Sequence, residues 1–342
     1  MSKERIGWID VAKGLSMFLV VLGHNPLPIL GVQLLYGLNV PIFFLMSGYT
    51  FRTEKFPSLF ALIKKLAKRI LIPYVVMNIL SFFVYHWVRD MAITPESVNH
   101  FIGGAFYGEG IRGALMFNQP LWFLPCIFVV QVLWYLLDRY TKKTKVLWVL
   151  LSSLAGYFIP AVLTVRLPWG MDVALTGIVF FSLGQFFSKE KVHKALFLIP
   201  SAIGFVFTLG INIGFNFLNQ TMMPYANMNV DINAMVFGNY FLFYICSLSG
   251  CVAIIYLAKL LSFSRALSYL GKNTLWVLGL HSLFIQIFEI KLELRFVTST
   301  TANSLILCVL EIACVLFLKF LYDTVKHQFV RKWGKGEQHE AG

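Results

Sequence analysis

Ten apolar stretches, each close to the length that crosses a bilayer, dominate this 342-residue chain and leave few folds open to it. A spanning helix needs about 20 mostly apolar residues. Candidate spans fall near 7–24, 33–51, 70–88, 119–137, 146–164, 172–187, 195–213, 235–258, 273–290 and 302–321. Only 13% of residues are charged and 58% are hydrophobic. A soluble domain carries about twice that share of charge, so too little polar surface exists to clothe a water-soluble globule. The 16% aromatic content also excludes a disordered chain. The fold class expected is an all-α polytopic membrane protein with both termini on the cytoplasmic side. The first stretch is read as a helix rather than a signal peptide, because Asp10 and Lys13 interrupt it, no small-x-small cleavage site follows, and nine more spans come after it.

A formal net charge of +13 raises the question of nucleic acid. The positions of the cations answer it. With the N-terminus inside and the spans alternating, 24 of the 29 lysines and arginines lie on the inner side. Arg89, Arg112, Arg166, Lys291 and Arg295 are the outer five. The charge is therefore a topology signal, and no nucleic-acid partner is expected. Cys126, Cys246, Cys251, Cys308 and Cys314 all lie in apolar runs without ligand spacing, so they read as small buried hydrophobes and no metal is expected.

Ionisable residues inside a membrane call for a reason. In the first span, WIDVAKGLSMFLVVLGHNP, Lys13 and His24 are eleven residues apart. On a helix they return to within roughly 20° of one face, about 16 Å apart along the axis. Asp10 stands where it can pair with Lys13, and Asn25 with Pro26 and Pro28 marks the helix end. The plainer reading has Lys13 snorkelling and His24 as an interface histidine. In KFPSLFALIKKLAKRILIPY, Lys64, Lys65, Lys68 and Arg69 form one basic helical face ahead of Pro73. That face suits phosphates, although on composition alone positive-inside placement or anionic lipid is the better explanation. Ser47 and Tyr49 in the second span, Gln119 and Trp122 at the start of the fourth, and His281 deep in the ninth complete the candidates. Two outer connections, 89–118 and 214–234, are read as long loops rich in aromatic and amide side chains, which suit a sugar.

Asp10-Val-Ala-Lys13-Gly14 with His24, then PIFFLMSGY, KKxxKR, LWFL and the late His281, stand in an order that resembles the membrane acyltransferase-3 family of bacteria. The likeness covers almost the whole chain, expected as one domain over 1–325 followed by a short basic tail over 326–342, and it looks closest to the fucose 4-O-acetylase-like branch. The commoner family pattern has arginine where this chain has Lys13. The resemblance implies a multi-pass protein of the bacterial cytoplasmic membrane. It would move an acyl group, usually acetyl from acetyl-CoA, to a hydroxyl of a cell-surface or lipid-linked glycan. His24 is then the candidate general base, and Asp10, Asn25 and His281 are counted with it among the catalytic candidates. Lys13, Lys64, Lys65, Lys68 and Arg69 would hold the CoA phosphates. Asn25, Ser47, Tyr49 and Trp122 are the candidate oxyanion donors; Ser47, Tyr49, Gln119 and Trp122 would contact substrate, while His281 orients the acceptor or shares the proton. A glycan or small-molecule transporter with the same spans is the competing reading, though such folds favour internal repeats, and none is visible.

Overall fold

The computed structural model describes residues 7–36, 38–111, 113–196, 198–223 and 229–333. Arg112 and Asn227 lie outside them, as does most of the basic tail. Among the described residues there are fifteen α-helices and no β-strand; Asp231 and Val236 form a single isolated bridge. The first six helices are α1 (Gly7–His24), α2 (Ile29–Tyr36), α3 (Pro41–Thr50), α4 (Leu59–Leu66), α5 (Ile72–Val88) and α6 (Pro95–Tyr107). Then come α7 (Phe123–Tyr140), α8 (Lys145–Val162), α9 (Met171–Phe187), α10 (Glu190–Leu196) and α11 (Ser201–Gln220). The last are α12 (Tyr240–Leu260), α13 (Arg265–Lys272), α14 (Thr274–Gln286) and α15 (Thr300–Trp333).

Nine segments of the described residues are long and apolar enough to cross a membrane. With α1, which Asp10 and Lys13 make less apolar, each of the ten stretches read from the sequence corresponds to helix. The outward faces fit a lipid surround. Val146, Leu150, Leu154 and Phe158 form an exposed i, i+4 stripe on α8, and Ile203, Val206 and Phe207 are exposed on α11. Such faces belong in hydrocarbon, where the backbone polar groups stay paired within each helix. The chain is an all-α polytopic membrane protein.

Three boundaries differ from the sequence reading. The second span is two helices, α2 and α3, with Pro41 opening the second; proline suits a first turn because its missing N–H has no intrahelical partner there. The connection 89–118 is not all loop. It holds α6, capped at one end by a reciprocal Thr94–Ser97 box with Pro95 next, and closed by Gly108 in the left-handed region at φ 70°. Likewise α11 runs on to Gln220, so Asn216 and Asn219 are buried helical residues rather than loop residues.

Helix–helix contact depends on small residues. A Cβ at Gly48 would lie 2.0 Å from the Phe181 carbonyl oxygen, and one at Gly184 would lie 2.0 Å from that of Leu45, so α3 and α9 touch backbone to backbone. The same holds for α1 and α13, where a Cβ at Gly271 would come within 1.7 Å of the Asp10 carbonyl oxygen. Without a hydrophobic drive between helices in lipid, close packing supplies the association. Gly48→Ala and Gly271→Ala are each expected to destabilise by about 1–3 kcal/mol, since backbone must move to admit the methyl. Gly210→Ala, at a site with nothing within 4 Å, should leave the melting temperature in detergent unchanged or raised. Equal melting points for all three would remove the close-packing argument.

Candidate functional site

Helix α1 ends because Pro26 and Pro28 cannot continue it, and its last side chains turn back on its own carbonyls. His24 Nδ1 bonds the Val20 carbonyl at 2.7 Å. Asn25 Nδ2 donates to the Val21 carbonyl at 3.0 Å, while the Asn25 backbone N–H goes to Leu22 at 3.1 Å. A carbonyl only accepts, so the neutral His24 ring carries its proton on Nδ1 and keeps the Nε2 lone pair. His281 on α14 is arranged alike, with Nδ1 bonded to the carbonyls of Val277 at 2.8 Å and Leu278 at 3.1 Å. The two rings meet edge to face with centroids 5.1 Å apart and an interplanar angle of 70°. His281 is fully buried, and its Nε2 has no hydrogen-bond partner. Two imidazoles, 257 positions apart in sequence, thus face each other with both Nε2 atoms uncommitted.

A cavity of about 320 Å³ leads to His24. Lys13, Arg52, Lys55, Lys65 and Arg69 line one part of it. Met17, Val20, Phe43, Leu66, Phe123, Leu124, Ile127 and Leu278 form its apolar walls, and Ser47, Gln131 and Trp122 lie along the way. No aspartate or glutamate is among the described residues that line it. Lys13 and His24 both face this space, separated by about 16 Å of helix axis. Five cations gathered where no described carboxylate lines the cavity make this part of it suited to an anion.

Local structure decides which cations take part. The helical run from Leu59 to Val88 contains a π-type turn over Ala67–Leu71, just before Pro73, whose ring lacks the N–H that a regular ladder needs. All four cations of the run are exposed, but Lys65 and Arg69 line the cavity and Lys64 and Lys68 do not. The Lys65 ammonium rests 5.2 Å from the centre of the Phe56 ring. Arg52 donates from one guanidinium nitrogen to the carbonyls of Tyr49 at 2.9 Å and Phe51 at 2.8 Å, leaving the rest of its fork free to turn outward.

The other sequence candidates are spread more widely. Ser47 lines the cavity and accepts from Gln131 Nε2 at 3.3 Å. Trp122 is buried at the cavity wall. Tyr49, two residues past Ser47, faces another way: its hydroxyl is 3.1 Å from His193 Nδ1 and its ring packs on Trp8. Gln119 is exposed as the first residue of the short 3-10 turn that ends on Trp122. Asp10 is buried 14 residues before His24, about 21 Å along α1, against α13. Asn25 adjoins His24, but both its N–H groups are spent, one on Val21 and one on Glu311 Oε2 at 2.9 Å.

Sequence reasoning passed over four residues that the structure brings to this region. Arg52 and Gln131 line the cavity but lie outside the quoted motifs, and Lys55, which opens the quoted KFPSLF stretch, lies outside its KKxxKR run. The fourth is Asp231, in the connection between α11 and α12, within electrostatic reach of His24. Burial raises its carboxyl above the usual carboxylate range, opposed by the backbone N–H groups of Ala234 and Asn233 and by the charges of His24 and Arg166. The signal for it was an acid within an asparagine-rich stretch, which alone does not distinguish a solvated turn from a site. Nearby, Arg166 joins Glu109 at 3.5 Å and Asp172 at 2.5 Å, tying the outer connections together.

No curated protein and no solved structure matches the chain. A cation-lined cavity reaching an uncommitted imidazole agrees with the family comparison: the acyltransferase-3 family model, described as an acyltransferase domain, fits residues 6–320, and the chain belongs to that family of membrane acyltransferases.

Proposed function

We propose that this acyltransferase moves an acyl group, acetyl in the first instance, from cytoplasmic acyl-CoA to a hydroxyl of a cell-surface or lipid-linked glycan. It would do so in the bacterial cytoplasmic membrane, as a member of the fucose 4-O-acetylase-like branch. One observation carries the reading: a single cavity joins a rim of five cations to the open nitrogen of His24. Its parts match the donor in order. Phosphates belong with Lys13, Arg52, Lys55, Lys65 and Arg69. A long, thin pantetheine arm fits the apolar walls, and the distance from Lys13 to His24 is about the reach of that arm.

Acyl-CoA supplies an acyl carbon already activated as a thioester. The protein's share is to hold it, exclude water and move a proton. His24 takes the hydroxyl proton at Nε2 and returns it to the departing sulfur, while its Nδ1–H stays on the Val20 carbonyl and fixes the ring. His281 packs against that ring, which supports a role for it in orienting the acceptor. Ser47 and Trp122, at the cavity wall, are the side chains available to steady charge on the acyl oxygen. Lysine at position 13 offers a point charge where arginine would offer a fork, so its contact is with one phosphate oxygen at a time.

The purified chain in detergent, given radiolabelled acetyl-CoA and a lipid-linked glycan extract, should release CoA and label the glycan without any sealed membrane. A transporter would leave the donor intact under those conditions. Mass spectrometry of surface glycans from cells with and without the gene then identifies the sugar and the position modified.

A further inference from the structure

One ionisable residue within the helices has no part in the mechanism above. Glu311 lies in α15 in the run ILCVLEIACVL and has no solvent exposure. Its Oε2 accepts from Asn25 Nδ2 at 2.9 Å, and its Oε1 has no partner. A buried carboxyl with one oxygen unpaired is expensive to keep. A glutamine of the same shape would join α15 to α1 at less cost.

Two features point past a simple clasp. The first is location. Asn25 is the residue after His24, and the next residue, Pro26, offers its carbonyl to the Ser304 hydroxyl. Ser304 and Glu311 are seven positions apart, two turns on one face of α15, so that face grips both residues that follow His24. The second is the chemistry of a carboxylate, which only accepts. Facing it, the Asn25 amide has to present N–H, and the side chain cannot flip. The other N–H then reaches the Val21 carbonyl, which the backbone leaves unpaired where α1 ends. Oδ1 of Asn25 remains buried and unpartnered beside His24. Opposite a glutamine, both amides are free to turn over together.

We infer that Glu311 is a positioning residue: through Asn25 it fixes the turn that ends α1, and with it the direction in which His24 Nε2 enters the cavity. The kinetic arm of its test rests on the acyl-transfer reading, and the labelling arm does not. Misplacing a reacting group by about 1 Å can cost two orders of magnitude in rate. Glu311→Ala in the full chain should therefore lower kcat for CoA release from acetyl-CoA at least tenfold. KM for acetyl-CoA should stay within about twofold, since the cation rim is untouched. Glu311→Gln, which keeps an acceptor for Asn25 but lets the amide pair turn over, should recover only part of that loss.

The second arm uses diethyl pyrocarbonate, which acylates a free imidazole nitrogen, with peptide mass spectrometry reading each histidine. Glu311→Ala should change the rate at His24 severalfold and leave the exposed His100 alone. An unchanged His24 rate overturns the inference. So do equal losses of turnover in Glu311→Ala and Glu311→Gln that follow the loss of monodisperse protein, because a structural clasp behaves that way. A wild-type chain that releases no CoA, yet whose His24 labelling responds to Glu311, refutes acyl transfer from CoA and upholds the positioning role.

Discussion

Alanine in place of His24 is expected to slow acyl transfer by about 10²–10⁴-fold, the range a positioned general base supplies. The fold should survive. The one polar bond that the His24 side chain makes goes to a carbonyl of its own helix, so its removal costs about 0.5–1.5 kcal/mol at most. Detergent gel filtration and thermal melting should read nearly as wild type while CoA release stops. His24→Gln should fare no better, because an amide has no proton-accepting nitrogen. His281→Ala separates two roles. If the second imidazole only orients the acceptor, glycan labelling falls more than hydrolysis of the donor by water. A His24→Ala protein that keeps more than a tenth of wild-type turnover would remove the base from the mechanism.

The second large effect is at the cation rim. Arg69→Ala and Lys65→Ala should each raise KM for acetyl-CoA about 10–100-fold, since a hydrogen bond to a charged group contributes about 1.5–3 kcal/mol. kcat at saturating donor should hold, because the rim is far from the reacting atoms. Lys64→Ala and Lys68→Ala are the internal control, as neither side chain lines the cavity. Their KM should stay within about twofold of wild type. Raising the salt should weaken donor binding in the wild type more than in Arg69→Ala, as expected when a screened charge is lost. Equal KM changes at all four positions would mean a diffuse surface field rather than a shaped site.

Much of this was legible in the sequence, for definite reasons. Span length is set by the bilayer, so the ten stretches could be counted from apolar runs alone. The eleven-residue interval between Lys13 and His24 is close to a whole number of helical turns, and both do face one cavity. Less legible were features set by interruptions of regular helix. The basic run was read as one continuous face of four cations; the cavity takes Lys65 and Arg69 of them. Contacts across the chain were invisible too. Nothing local couples His24 to His281 or Asn25 to Glu311, and only the packing of α14 and α15 against α1 brings them together. Thr94, Pro95 and Ser97 carry the signature of a helix start, so α6 is readable within 89–118 even though that stretch is too polar to stand out as a span.

The glycine contacts bear on how a donor gets in. Where two helices meet through their main chains, no rotamer change can loosen the seam, and sliding one past the other would first require prising them apart. The seams at Gly48 and Gly271 hold α1 against α13, and α3 against α9, through main-chain contact. Those helices carry Lys13, His24 and Ser47. On the proposed reading, the side of the cavity open to adjustment is that of α4, where the π-type turn departs from ideal helix and the Lys65 and Arg69 stems line the space.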